Sequence, residues 1–157
     1  MIALAGVFVT AASASADILD VPSVDYPTIQ SAIDDAVNGD VIMIQPRDPE
    51  LGFPFDAYYE NLDMLGKEIT LTSIDPSDPV VVAETVIDGS GGGATCIRAD
   101  NVGVGGMLDG LTIRGGEELG GGNDRGGGLR CSDNAQILVR RCVCLLYTSD
   151  AADDETS

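Results

Sequence analysis

Hydrophobic positions along this chain change their spacing once. Ile29, Ala32, Ile33, Ala36 and Val37 follow the i, i+3, i+4, i+7, i+8 stripe of a helix with one apolar face. Thr28 stands where an N-cap is needed, and Asn38-Gly39 supplies the stop. So short a stripe predicts a helix that covers something, and the open end of a sheet is the expected partner. After Gly39 the period falls towards two. Val41-Ile42-Met43-Ile44 reads as a short strand buried on both faces, while residues 69–74, Leu111-Thr112-Ile113 and Ile137-Leu138-Val139 alternate. Centred on Ile42, Leu71, Thr112 and Leu138, these strands are 29, 41 and 26 residues apart. The long middle interval has room for an extra turn of chain, with strands near Val86-Ile87 and Cys96-Ile97. No second helical pattern intervenes. Short strands between Gly, Asn and Asp turns predict coils stacked about 4.8 Å apart, with aliphatic side chains in ladders inside. A β-sandwich is the competing architecture.

The two ends read differently from the middle. Residues 2–16 form an apolar run shading into small residues, and Ala14-Ser15-Ala16 fits the A-x-A rule of signal-peptide cleavage. Residues 1–16 are therefore expected to be an export signal, which is too short to span a bilayer; a buried N-terminal strand is the other reading. Export places the rest in the periplasm, at the cell surface or outside the cell. Cys144-Leu145-Leu146-Tyr147-Thr148-Ser149-Asp150-Ala151-Ala152-Asp153-Asp154 resembles a translated transposase-end sequencing adaptor, read against a genuine acidic tail. On the first reading, 144–157 is not native sequence and 17–143 is the N-terminal part of one repeat domain whose later coils are missing.

A family resemblance sharpens the fold. Tyr26-Pro27-Thr28-Ile29-Gln30-Ser31-Ala32-Ile33-Asp34, Gly39-Asp40-Val41-Ile42-Met43-Ile44, Tyr58-Tyr59-Glu60-Asn61-Leu62, Gly66-Lys67-Glu68-Ile69-Thr70-Leu71 and Thr85-Val86-Ile87-Asp88-Gly89 occur in that order. Together they resemble the opening of right-handed parallel β-helix proteins of the pectin-lyase-like superfamily, pectinesterase-like openings included. Leu108-Asp109-Gly110-Leu111-Thr112-Ile113 and Gly126-Gly127-Gly128-Leu129-Arg130-Cys131-Ser132 are similar to the coils of bacterial surface β-helix repeats. The resemblance implies an all-β solenoid with one N-terminal capping α-helix. It implies no catalytic residue, because the family's aspartates and arginines belong to later coils. The chain departs from the pattern at residues 45–56, which read as a surface insertion.

Composition narrows the chemistry. Eight basic against 26 acidic residues give a net charge of −18, which argues against nucleic acid as a partner. With no histidine, Ser-His-Asp and Cys-His catalysis and imidazole metal sites are excluded. Cys96, Cys131 and Cys142 lack zinc-ligand spacing; a Cys131–Cys142 disulfide and small buried thiols both fit.

Six of the eight basic residues fall between Arg98 and Arg141. Aligning Leu111-Thr112-Ile113-Arg114 on Ile137-Leu138-Val139-Arg140 predicts that Arg114 and Arg140 stack on one outer face, joined by Arg98 and Arg130. Such a strip suits the carboxylates of an acidic polysaccharide. The plainer reading is that each arginine is a solvated position offset by nearby carboxylates. Asp88, Asp100 and Asp109 follow strands at turn positions, where an aspartate caps its own backbone; converging across coils, they would offer oxygen ligands to Ca²⁺. The glycine-rich run of residues 115–128 lacks the Lys-Ser/Thr of a P-loop and is expected to be a long projecting turn.

The expected protein is thus a secreted β-helix that binds or processes extracellular polysaccharide. As an enzyme it would be a lyase, hydrolase or esterase; the alternative is a non-catalytic stalk or adhesin. The fragment itself is expected to be inactive, and its uncovered last coil to make it prone to associate.

Overall fold

The structure, a computed structural model, describes residues 15–47, 56–92, 94–116 and 127–145. Most of residues 1–16, of the insertion at 45–56, of the glycine-rich run at 115–128 and of 144–157 lies outside the described residues. The elements are, in chain order, β1 (Ile18–Val21), α1 (Ile29–Asp35), β2 (Val41–Ile44), β3 (Tyr58–Tyr59), β4 (Leu62–Asp63), β5 (Thr70–Ser73), α2 (Pro79–Glu84), β6 (Val86–Asp88), β7 (Ile97–Asp100), β8 (Gly106–Asp109), β9 (Thr112–Arg114), β10 (Leu129–Ser132), β11 (Ile137–Arg140) and β12 (Val143–Leu145).

Among the described residues every strand pairing is parallel. The strands form three sheets, ordered β1-β2-β5-β8-β11, β3-β6-β9-β12 and β4-β7-β10. From β2 onward the chain visits the sheets in rotation and returns to each one every third strand. The antiparallel pairing of a sandwich does not occur among the described residues. β12 runs across the expected native boundary at Val143 and pairs with β9 on both sides of it.

Register explains the core. Leu19, Ile42, Leu71, Leu108 and Val139 form one continuous column through the first sheet. Tyr58, Ile87 and Ile113 form a second column, and Leu62, Ile97 and Leu129 a third. Strand alternation turns these side chains inward, and in-register pairing sets like on like. Each fully buried Ile or Leu contributes about 1.5–3 kcal/mol of transfer free energy. Tyr58 enters the core because its hydroxyl finds acceptors there, donating to the Gln45 carbonyl at 2.9 Å and the Val21 carbonyl at 3.3 Å. One expected alignment is corrected. Leu108 of β8, not Thr112, continues Ile42 and Leu71, while Thr112 belongs to the sheet of Val86. Glycine at the start of β8 and aspartate at its end hid that strand, both being poor strand formers.

Helix α1 covers the first layer, against β1, β2 and β4. Thr28 and Ser31 make the reciprocal capping box, and the Glu60 carboxylate accepts the Ile29 and Gln30 N–H groups at 3.0 Å. The Gln30 amide takes the Asp63 N–H at 2.9 Å and donates to its carbonyl at 3.2 Å, so a side chain completes the outer edge of β4. Ile29, Ala32, Ile33 and Ala36 are buried, as their spacing predicts. Val37 is 53% exposed, because the helix ends at Asp35 and the buried Asp40 carboxylate captures the Val37 N–H at 2.8 Å. The expectation of a single helix is also corrected by α2, inserted between β5 and β6. Asp78 caps it and Pro79 opens it, while three consecutive β-branched valines masked it in the sequence. Gly110 turns the chain at φ +65°, where an added Cβ would lie 2.5 Å from Pro76 Cα.

Candidate functional site

The outward positions carry the chemistry. In each sheet an aspartate on one layer stands in register with an arginine on the next: Asp63 with Arg98, Asp88 with Arg114 and Asp109 with Arg140. Parallel pairing keeps side chains of equivalent position close enough for opposite charges to meet. Arg114 Nε donates to Asp88 Oδ2 at 2.7 Å, and its Nη2 reaches Asp56 at 2.9 Å. Arg140 Nε donates to Asp109 Oδ2 at 2.9 Å, while Arg141 Nε donates to Asp109 Oδ1 at 2.8 Å. Arg98 pairs with Asp63 and lies 3.5 Å from Asp100, which Arg130 approaches to 3.9 Å. Ser132 donates its hydroxyl to the same Asp100.

Burial and pairing compete at these carboxylates. Burial pushes the Asp88 carboxyl up, but hydrogen bonds from Ser90 and Arg114 outweigh it and hold the group below its ordinary value. Asp109 behaves alike: burial raises it, and the Arg141 and Arg140 guanidiniums bring it below the usual range. The exposed Asp56 is lowered chiefly by Arg114, with help from the Tyr59 hydroxyl at 2.8 Å.

The four expected arginines therefore do not make one strip. Arg114 lies on β9 and Arg140 on β11, in different sheets, and each stands over its own aspartate. Their similar flanking residues misled the alignment, because loops of unequal length separate the strands. Arg98 and Arg130 do stack on each other in the third sheet, with Asp100 beside both. Asp88, Asp100 and Asp109 are likewise spread over three strands in three sheets, and each engages arginine. Among the described residues no three Asp, Glu or Cys side chains come together as a metal-holding group. Their arrangement favours guanidinium over Ca²⁺, since each carboxylate already has a cationic partner.

Asp56, Asp63, Arg141 and Ser132 complete the arrangement and were not singled out in the sequence. Their contacts come from the pairing of distant strands, which no local motif encodes. The four cysteines are unpaired. Cys96 is a small buried thiol, pushed up to about 12 by burial and by the nearby Asp88 charge. Among the described residues no helix is long and apolar enough to cross a membrane. No protein-family model matches the chain, and no curated protein and no solved structure does.

Proposed function

We infer that the chain is part of an exported right-handed parallel β-helix that serves as a rigid spacer, a stalk rather than a catalytic module. The observation carrying this reading is the register of Asp63, Asp88 and Asp109 with Arg98, Arg114 and Arg140. Side chains that could have bound an anionic ligand are instead spent across successive layers, one pair per sheet. The rotation of strands through three parallel sheets supports the β-helix. Its hand rests on the family resemblance and on the strong right-handed preference of parallel crossovers. Export rests on the apolar run and A-x-A pattern of residues 2–16.

A second reading, binding or processing of acidic polysaccharide, draws on one patch. The exposed Tyr59 donates to Asp56, which also pairs with Arg114 on the outer face of the β3-β6-β9-β12 sheet. A sugar ring could lie on the tyrosine while its carboxylate competed for the guanidinium. Affinity electrophoresis and turnover assays of the full chain on polygalacturonate and alginate decide between the two. A spacer gives neither retardation nor product. Retardation that Tyr59→Ala and Arg114→Ala both abolish would replace it with the second reading.

A further inference from the structure

We propose that export completes this fold: cleavage between Ala16 and Asp17 turns the Asp17 backbone nitrogen into an ammonium that pairs with the buried carboxylate of Asp40. The cleavage rests on the export reading given above; the pairing rests on the geometry around Asp40.

Asp40 lies between α1 and β2 and is 4% exposed. Its backbone is fully engaged, the N–H donating to the Val37 carbonyl at 3.1 Å and the carbonyl accepting the Thr70 N–H at 3.0 Å. Its carboxylate takes two more backbone donors: Oδ2 accepts the Val37 N–H at 2.8 Å and Oδ1 the Asp17 N–H at 2.9 Å. The other buried aspartates among the described residues, Asp88 and Asp109, each face a guanidinium. Among the described residues no lysine or arginine pairs with Asp40. A buried carboxylate is costly until a cation joins it, because neutral amide donors offset only part of the hydration it gives up.

The chain places one nitrogen where that cation is needed. The Asp17 carbonyl accepts the Val41 N–H at 2.9 Å, one step before the Ile18–Val41 register of β1 on β2. Both backbone groups of Asp17 are thus tied to Asp40 and Val41. Ser15, Ala16 and Asp17 are exposed, and Ala14-Ser15-Ala16 is the A-x-A pattern that precedes signal cleavage. Hydrolysis by a signal peptidase adds one water across the Ala16–Asp17 amide. The Ala16 carbonyl carbon takes the oxygen and departs as a carboxylate. The nitrogen stays on Asp17, takes up the protons of the water and is an ammonium at neutral pH. It need not move: 2.9 Å already falls in the range of about 2.7–2.9 Å for a charge-assisted N⁺–H···O⁻ bond. Cleavage one bond earlier would leave an uncharged amide at this nitrogen, and one bond later would remove it.

Hydrogen exchange at the Val37 and Val41 amides tests this. The full chain is expressed for export, and the same chain is synthesised in a membrane-free extract, where it keeps residues 1–16. Intact mass gives the N-terminus of each product. A new chain end ordinarily frays and speeds exchange beside it. Pairing with Asp40 predicts the opposite sign: both amides exchange at least about tenfold more slowly in the cleaved chain, the factor that 1.4 kcal/mol produces. The Leu108 amide, three strands away in the same sheet, is expected to be unchanged. Asp40→Asn keeps the shape of the side chain, removes its charge and is expected to abolish the slowing. If that variant loses its native circular dichroism, the sign of the change in the unaltered chain decides alone. Cleavage at Asp17 followed by equal or faster exchange overturns the proposal and leaves the export reading standing, as does slowing that Asp40→Asn preserves. A product cleaved at another bond also overturns the proposal alone. An exported-strain product that keeps residues 1–16 overturns both.

Discussion

Leu19 and Val139 occupy the same inward column of the same sheet, yet Leu19 is 6% exposed and Val139 41%. Their strands have the same direction and pair with aliphatic neighbours of the same kind. What differs is the far side. At the first layer α1 lays Ile29, Ala32, Ile33 and Ala36 over the core. Among the described residues no element does this for β10, β11 and β12. Alternation therefore decides which side chains point inward, and a covering element decides whether inward means buried.

The sharpest way to break this comparison is to truncate one inward aliphatic side chain at each end. Ile33→Ala removes fully buried volume from the covering helix and is expected to cost about 2–5 kcal/mol in urea denaturation, whereas Val139→Ala is expected to cost less than about 1 kcal/mol. Equal costs would show that the two ends are packed alike. Next in size is Asp109→Asn, which takes the charge from a buried acceptor shared by Arg140 and Arg141. It is expected to cost about 1–2 kcal/mol and to speed amide exchange in β11 while leaving β2 unchanged. Exchange rising equally in both strands would count against a local role. Thr28→Ala acts at the opposite end, with an expected loss of about 1 kcal/mol as the capping box opens. Exchange should then rise in α1 before β11.

The last effect is one of pH. Asp88 and Asp109 are both held below the ordinary carboxylate value of 3.8 in the folded chain. The stability they lend is complete above that value and is lost as the pH falls below it towards their folded values. Melting temperature should therefore drop on acidification from about pH 5 to pH 3, and drop less in an Asp88→Asn, Asp109→Asn double variant. Identical curves for the two proteins would rule these carboxylates out as its cause.

Much of the fold was legible before any coordinates. Helix α1 and strands β5, β9 and β11 each carry a recognisable period, β2 stands out as a short apolar run, and the long interval between Leu71 and Thr112 leaves room for β6 and β7. Strands β3 and β4 are two residues long, too short to show a period. Strand β8 was obscured by its end residues, and α2 by valines whose branching suits strands. The arginine–aspartate arrangement was half legible. That arginines cluster late in the chain and lie near carboxylates follows from composition, and the plainer reading, arginines offset by carboxylates, describes the contacts observed. Which carboxylate meets which arginine does not follow. Asp63 and Arg98 are 35 residues apart, Asp88 and Arg114 26, Asp109 and Arg140 31. No fixed spacing links those pairs, so no repeat in the sequence could reveal them.

Side-chain direction along a strand and the apolar face of a helix are local consequences of backbone geometry, and the order of residues suffices to write them down. Partnership between strands is different. Loops of unequal length can bring any of several strands alongside a given one, and only the joint packing of all three sheets chooses among them. Leu108 rather than Thr112 came to lie on Leu71, and Arg140 came to Asp109, because those choices fill one continuous interior.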